Sequence, residues 1–226
     1  MKIYHHLNRG HVQTSWLDSY HSFSFGQWYD PSLLGVSSLR VINEDTIAPH
    51  QGFGTHPHKN MEILTYVLEG QLTHQDSMGN HGIIQAGEWQ LMSAGSGVQH
   101  SEVNHTDQPV HLLQIWLHPN VSNAKPNYQQ IQLNAKQLPN QWHPITGLQA
   151  PMEIRQDATI RVNFLTQNQL SMIDATHGLS YVHIITGKIS VDGEILHTGD
   201  AFEVSKLTQI QSLEDSHLLW FDLVHN

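Results

Sequence analysis

The fold is decided by the stretch Ile63-Leu64-Thr65-Tyr66-Val67-Leu68-Glu69-Gly70. Its β-branched, aromatic and leucine side chains are typical of a strand, and its final glycine is typical of a turn. Similar runs recur along the chain about ten residues apart, separated by glycine-rich turns. Helix patterns are few, with at most one short helix near Ala135–Leu138. The sequence therefore predicts an all-β protein built as a sandwich or barrel.

The second half of the chain repeats the first. The run Tyr181–Ile189 resembles Leu64–Leu72, and His217–Leu223 resembles His111–Leu117. Self-similarity of this kind predicts two related β modules. We expect an N-terminal module at 1–120, a connection containing several prolines at 121–150 and a C-terminal module at 151–226.

Composition excludes several classes of protein. The chain has no cysteine, which excludes a disulfide framework, a cysteine-ligated zinc finger and a thiol nucleophile, and a reducing cytoplasm fits. A formal net charge of −10 at pH 7, with only ten scattered Lys and Arg residues, disfavours direct nucleic-acid contact. There is no signal-peptide core at the start and no apolar run long enough for a membrane span. We expect a cytoplasmic protein with a small-molecule or protein partner.

Three histidines and two glutamates lie around the opening stretch at even spacings. His56, His58 and Glu62 lead into it, whereas His100 and Glu102 follow a glycine-rich turn further along. In a strand, side chains two apart point to the same face, about 6–7 Å from each other. If the two segments pair across a barrel, these groups converge inside it. Imidazole and carboxylate ligands suit iron, zinc, copper, nickel or manganese, so the pattern predicts a metal centre.

Two questions stay open at this level. A cluster of polar residues on a sheet is the alternative to a metal site, but burying several ionisable groups together without a metal is unfavourable. Strand periodicity does not decide which carboxylate binds, because Glu62 has the parity of His56 and His58 and Glu102 has the parity of His100.

The repeat supplies an internal comparison. Aligning the two halves on their glycines and closing strands places other residue types where the candidate ligands stand: Ala175 for His58, Leu179 for Glu62, Lys206 for His100 and Thr208 for Glu102. The second module thus lacks the ligand set. We predict one metal site, in the N-terminal module.

The two histidine segments resemble the paired motifs of the cupin superfamily, and the match is closest to the pirin family and its bacterial members. It extends over nearly the whole chain and is strongest from residue 8 to 120, whereas the second half is matched mainly by its layout. The residues that carry it are Trp16–Gly26, Tyr29–Pro31, Thr55–His58, Glu62–Tyr66, His74–Gly79, Gln90–Gly97 and His100–Glu102.

The resemblance implies a bicupin, with two tandem β-barrel or jelly-roll modules and few short helices. It also implies that His56, His58, His100 and Glu102 hold one divalent metal ion. Fe(II) is the ion expected first, with Zn, Cu, Ni, Mn and Co as alternatives. Glu62 would then lie behind the ligands and orient one of their imidazoles.

The function that the resemblance implies is that of a quercetin 2,3-dioxygenase. The substrates would be a flavonol and dioxygen, and Glu102 would be both a metal ligand and the catalytic proton acceptor. One alternative is a pirin-like, metal-bound regulatory protein that acts through a protein partner. Another is a cupin enzyme with a different substrate.

Overall fold

The computed structural model describes residues 1–224 and is almost entirely β. In those residues it has twenty-one strands and two short 3-10 turns, His6–Asn8 and Ala135–Gln137. The all-β prediction is confirmed, and the short helix expected near residue 135 is the second of these turns. Within the same residues there is no helix with the length and hydropathy to cross a membrane.

The strands are numbered in chain order. The first eleven are β1 (Lys2–Tyr4), β2 (Gly10–Gln13), β3 (Leu17–His21), β4 (Leu39–Ile47), β5 (Gly52–His58), β6 (Glu62–Glu69), β7 (Gln71–Asp76), β8 (His81–Gln85), β9 (Glu88–Ser93), β10 (Val98–Val103) and β11 (Val110–Leu117). The other ten are β12 (Asn127–Gln132), β13 (His143–Thr146), β14 (Ala158–Leu165), β15 (Leu170–Ile173), β16 (Gly178–Thr186), β17 (Lys188–Val191), β18 (Glu194–His197), β19 (Ala201–Val204), β20 (Thr208–Ser212) and β21 (Ser216–Val224).

The chain divides into two compact units. The N-terminal unit comprises residues 9–133 and 154–156, and the C-terminal unit comprises residues 1–8, 134–153 and the described residues from 157 onward. Residues 1–8 belong to the C-terminal unit because β1 pairs with β19 and forms the edge of that sheet. The segment 121–150, expected to be a connection, contributes β12 to the first unit and β13 to the second.

The N-terminal unit is a jelly-roll barrel of two antiparallel sheets. One sheet has the order β12-β9-β6-β11-β4-β3-β2, and the other has the order β5-β10-β7-β8. The opening stretch forms β6, which lies between β9 and β11 and is buried on both faces as far as Val67. One end of the barrel interior is filled by an apolar cluster that includes Ile47, Leu72 and Leu112. The other end is polar and holds the candidate site.

The C-terminal unit repeats this layout. Its sheets have the orders β1-β19-β16-β21-β14-β13 and β15-β20-β17-β18. Buried and exposed residues alternate along β20, as expected for a strand with one face on a barrel core. The interior contains an apolar cluster that includes Val182, Val191 and Ile210.

The turns after β6 and β16 both need a glycine. Gly70 and Gly187 have φ of +77° and +99°, a region that other L-residues rarely adopt. A Cβ atom on Gly187 would also lie 2.5 Å from the carbonyl oxygen of Asp215. Backbone conformation and backbone contact therefore both select glycine at this turn.

We predict that Gly187→Ala destabilises the protein clearly more than Gly193→Ala. Gly193 also has a positive φ, of +85°, but a Cβ there would meet no atom within 4 Å. Its alanine variant should therefore lose only about 1–2 kcal/mol through the left-handed conformation. Gly187→Ala should lose at least about 1 kcal/mol more, because the carbonyl must move. Denaturant unfolding of the two variants measures the difference in unfolding free energy. Equal losses of stability would show that the carbonyl oxygen of Asp215 moves away from the new Cβ atom without a free-energy cost.

Candidate metal centre

Three imidazoles converge where β5 pairs with β10. His56 lies opposite His100 in the antiparallel register, and His58 is two residues further along β5. The ring centroids are 4.4 Å apart for His56 and His100, and 4.9 Å apart for His58 and His100. One ring nitrogen from each of the three lies within 4.8 Å of the other two. The convergence expected from strand parity is present.

A bulge adjusts β5 beside these histidines. His56 lies opposite His100, but Phe53 lies opposite Glu102, so β5 carries one extra residue between the two pairs. Such a bulge re-aims the side chains on either side of it. Phe53 therefore reaches the same region as His56, with ring centroids 6.5 Å apart, although the two differ in parity.

Burial favours the neutral form of two of the imidazoles. Burial, followed by the neighbouring imidazoles of His56 and His74, lowers the pKa of His100 to about 3. Burial, followed by the imidazoles of His100 and His56, lowers the pKa of His58 to about 4. His56 has its Nδ1 2.8 Å from the carbonyl oxygen of Gly54. Because a carbonyl only accepts, Nδ1 donates, and in the neutral ring Nε2 keeps its lone pair. Neutral imidazoles of this kind are metal ligands.

Glu102 extends the cluster toward the barrel interior. Its side chain is buried, and its two oxygens accept hydrogen bonds from Thr65 Oγ1 at 3.2 Å and Gln114 Nε2 at 2.8 Å. Thr65 and Gln114 face each other on β6 and β11. One oxygen of Glu102 lies within 4.8 Å of ring nitrogens of both His100 and His74. The structure therefore groups Glu102 with His100 and a further histidine.

His74 is the residue that sequence reasoning missed. It is fully buried on β7, directly opposite Glu102, and its ring centroid lies 5.3 Å from that of His100. Its Nε2 is 3.1 Å from Oδ2 of Asp76. Parity alone could not place it, because its position depends on how β7 pairs with β10. The available signal was the His74-x-Asp76 pair just after the strand-ending Gly70.

Glu62 is not brought into the cluster. It differs in parity from Thr65 on β6, so it points to the other face of the sheet. Its Oε2 accepts hydrogen bonds from Ser93 Oγ at 2.7 Å and from the backbone N–H of Arg155 at 3.2 Å. Burial raises its pKa, against the lowering effect of these bonds. The expected role of orienting a ligand imidazole is corrected by these contacts, none of which is with a histidine.

An aromatic wall, formed by Phe25, Phe53 and Trp116, borders the histidines. The Trp116 ring lies edge-on to His58 at 4.9 Å, and Phe25 packs edge-on against Trp116 at 5.3 Å. All three rings are only partly buried. A flat apolar molecule beside the histidines would therefore contact aromatic faces and edges.

A buried carboxyl group lies deeper in the same barrel. Asp45 on β4 is 3% exposed and faces inward with Leu112, its partner on β11. Burial, with help from the carboxylates of Glu102 and Glu44, raises the pKa of Asp45 to about 7. Ser19 Oγ donates a hydrogen bond to Asp45, and this bond lowers the pKa of Asp45.

The second barrel has apolar residues at the equivalent positions, apart from one threonine. Matching the strand pairings gives these correspondences: Ile173 for His56, Thr208 for His100, Val191 for His74, Ile210 for Glu102, Val182 for Thr65 and Trp220 for Gln114. The sequence-based match of Lys206 and Thr208 to His100 and Glu102 was therefore off by two residues. The cause is the connection from β20 to β21, which is shorter than that from β10 to β11.

The donor set fits a metal ion. Both ring nitrogens of His100 and Nδ1 of His74 are buried without a hydrogen-bond partner. Each such group costs about 1–3 kcal/mol when it stays unsatisfied. A divalent cation beside neutral imidazoles and an anionic carboxylate would satisfy the ring nitrogens that face it. In the described part of the second barrel, no group of three potential ligands is found.

Two tandem jelly-roll barrels, one with a polar cluster at one end of its interior and one with an apolar cluster in its interior, define this chain as a bicupin. A family model described as Pirin matches residues 4–117, and one described as Quercetinase C-terminal cupin domain matches residues 145–223. The chain belongs to the pirin family.

Named relatives are similar over almost the full length. The quercetin 2,3-dioxygenase of Escherichia coli (strain K12) is 41% identical over 219 residues, covering 95% of each chain. The crystal structure of bacterial pirin YhhW from Escherichia coli in complex with nickel(II) matches with a TM-score of 0.94 and 38% identity, covering 100% of this chain and 99% of that one. Quercetin 2,3-dioxygenase from Acinetobacter baumannii, 22% identical with a TM-score of 0.81, supports the fold alone.

We predict that Asp45→Asn stabilises the metal-free protein at high pH and much less at low pH. Since the folded state raises the pKa of Asp45 from 3.8 to about 7, wild-type stability falls as the pH rises through that window and then levels off. Asparagine stays neutral and can still accept the Ser19 hydrogen bond. The difference in unfolding free energy between the variant and wild type should therefore grow, in favour of the variant, by about 2–3 kcal/mol between pH 5 and pH 8. Urea unfolding at both pH values measures it, and a difference independent of pH would contradict the assignment.

Proposed function

We propose that this chain is a metal-dependent dioxygenase that cleaves a flavonol such as quercetin. The observation that carries the proposal is the convergence of three imidazoles beside the aromatic wall, with the buried carboxylate of Glu102 next to one of them, His100. Full-length similarity to the Escherichia coli protein named quercetin 2,3-dioxygenase supports the reaction class. Dioxygen would be the second substrate.

The proposed ligands are His56, His58, His100 and Glu102. Fe(II) is the ion that we propose, and Zn, Cu, Ni, Mn and Co also suit imidazole and carboxylate ligands. The nickel(II) complex of the Escherichia coli pirin supports a divalent ion. When bound, the ion supplies Lewis-acid chemistry, which lowers the pKa of a coordinated hydroxyl group and stabilises the resulting anion.

Glu102 is proposed as the proton acceptor. Hydrogen bonds from Thr65 and Gln114 hold its carboxylate in one orientation and stabilise its charge. Each oxygen keeps a further lone pair beyond the bond that it accepts. Glu102 can therefore take the proton of a substrate hydroxyl that lies beside the three histidines.

The aromatic wall would bind and shield the substrate. A flavonol is planar and aromatic, so Trp116 and Phe53 offer it offset or edge-on ring contacts. Exclusion of water by these rings strengthens the electrostatic interactions of the substrate anion. We further propose a cytoplasmic location, which fits a chain without cysteine.

His56→Ala should lower metal retention and flavonol turnover together, because it removes one of the converging imidazoles. We expect metal affinity to fall at least about tenfold. His105→Ala, which changes an exposed histidine of the same unit, is the matched control and should behave as wild type. Elemental analysis and oxygen uptake with quercetin measure both effects. Turnover that persists in His56→Ala, or in wild type without dioxygen, would rule out the reaction, and metal retention without oxygen uptake would favour the regulatory alternative.

The variants Glu102→Gln and Glu62→Gln should show which of the two carboxylates acts in the reaction, a choice that strand parity leaves open. Glutamine keeps the size of either side chain and removes the charge. Glu102→Gln should lower kcat by about 100-fold or more, since both a ligand and the proton acceptor are lost. Glu62→Gln should change kcat less than about threefold, since Glu62 contacts Ser93 and Arg155 on the other face of the sheet. Steady-state kinetics at saturating metal gives both values, and the reverse order would transfer the role to Glu62.

A further inference from the structure

His74 has two ring nitrogens in very different surroundings. Nε2 faces Oδ2 of Asp76 at 3.1 Å, whereas Nδ1 is buried and has no hydrogen-bond partner. The side chain is 0% exposed, so solvent does not satisfy Nδ1 either. The nitrogen without a partner belongs to a residue that is grouped with His100 and Glu102 in the cluster and lies opposite Glu102.

Asp76 fixes which nitrogen of His74 carries the proton. Its Oδ1 accepts hydrogen bonds from the backbone N–H groups of Met78 at 2.9 Å and Asn80 at 3.1 Å, and from the Asn80 side chain. Its Oδ2 accepts a second bond from Asn80 Nδ2 at 2.9 Å. A carboxylate surrounded by donors is an acceptor, so Nε2 of His74 donates to it. In the neutral ring, Nδ1 is then left with a lone pair and can only accept.

The second barrel lacks this arrangement together with the ligands. Val191 stands at the position of His74, opposite Ile210 at the position of Glu102. Both are fully or almost fully buried in the apolar cluster of that barrel. The His74 imidazole is thus absent where the ligand set is absent, which ties it to the site rather than to the barrel fold.

We propose that His74 contacts the bound substrate, with Nδ1 accepting a hydrogen bond from a proton-bearing group next to the metal-binding atom. The inference rests on the metal site of the proposed function. It assigns the ligand class as small molecules that present a hydroxyl or N–H group beside the coordinating atom. Anions that have no proton gain nothing from this contact.

The test uses cobalt(II)-loaded protein and two probes. Acetohydroxamate coordinates metals and retains an N–H group, whereas azide coordinates without any proton. Visible absorption titrations give the Kd of each probe, and elemental analysis gives the metal content. His74→Leu removes the acceptor, and His74→Asn keeps an acceptor oxygen near the position of Nδ1. His81→Leu, at an exposed position on the neighbouring strand β8, is the matched control.

His74→Leu should weaken acetohydroxamate binding about tenfold, the effect of losing one buried hydrogen bond, and leave the azide Kd and the metal content unchanged. His74→Asn should recover most of the loss, and His81→Leu should match wild type. An unchanged acetohydroxamate Kd in His74→Leu, an equal weakening of both probes, or loss of metal, which would make His74 a ligand, each overturns the inference. If wild type itself takes up no metal, the proposed function falls as well, so the two failures are distinguished.

Discussion

The candidate site depends on one backbone register, that of β10 between β5 and β7. This register sets His100 beside His56 on one side and places Glu102 opposite His74 on the other. Because side chains alternate along a strand, a slip of one residue in β10 would turn His100 and Glu102 away from the barrel interior and expose Ser101 to it. The chemistry of the site is therefore a property of strand pairing before it is a property of any one side chain.

The interiors of the two barrels are filled by different kinds of side chain at matching positions. In the second barrel, branched and aromatic side chains such as Val182 and Trp220 pack into a continuous core. In the first, the matching positions hold Thr65 and Gln114, whose hydrogen bonds instead support a buried carboxylate. Burying a polar group without a hydrogen-bond partner costs more free energy than burying a methyl group gains. A buried polar cluster is therefore stable only when each of its polar groups has a partner. A bound cation and substrate would complete that set of partners.

Sequence reasoning reached the fold and the main histidines because both depend on short-range patterns. Period-two alternation and glycine-ended strands predicted the barrels, and parity put His56 with His58 and His100 with Glu102. Parity could not choose between Glu62 and Glu102, since that choice depends on which sheet face meets the neighbouring strands. His74 was missed for a related reason: its place opposite Glu102 is a long-range pairing, and the local His74-x-Asp76 pair does not reveal which strand lies opposite. The offset of two residues in the repeat came from a shortened connection, which similarity of strands does not reveal.

β5 is an edge strand of its sheet, and this position bears on how a metal ion would enter and leave the site. This strand is paired only with β10 within its sheet, and Pro57 provides no N–H to the ladder. Edge segments open locally at a lower free energy than strands paired on both sides. If an ion is held at this site, His56 and His58 would detach with β5 while His100 and Glu102 stay in place, so its loading and release would need only fraying of one edge and not unfolding of the barrel. A bound ion would in turn link β5 to β10 and stabilise this edge against fraying.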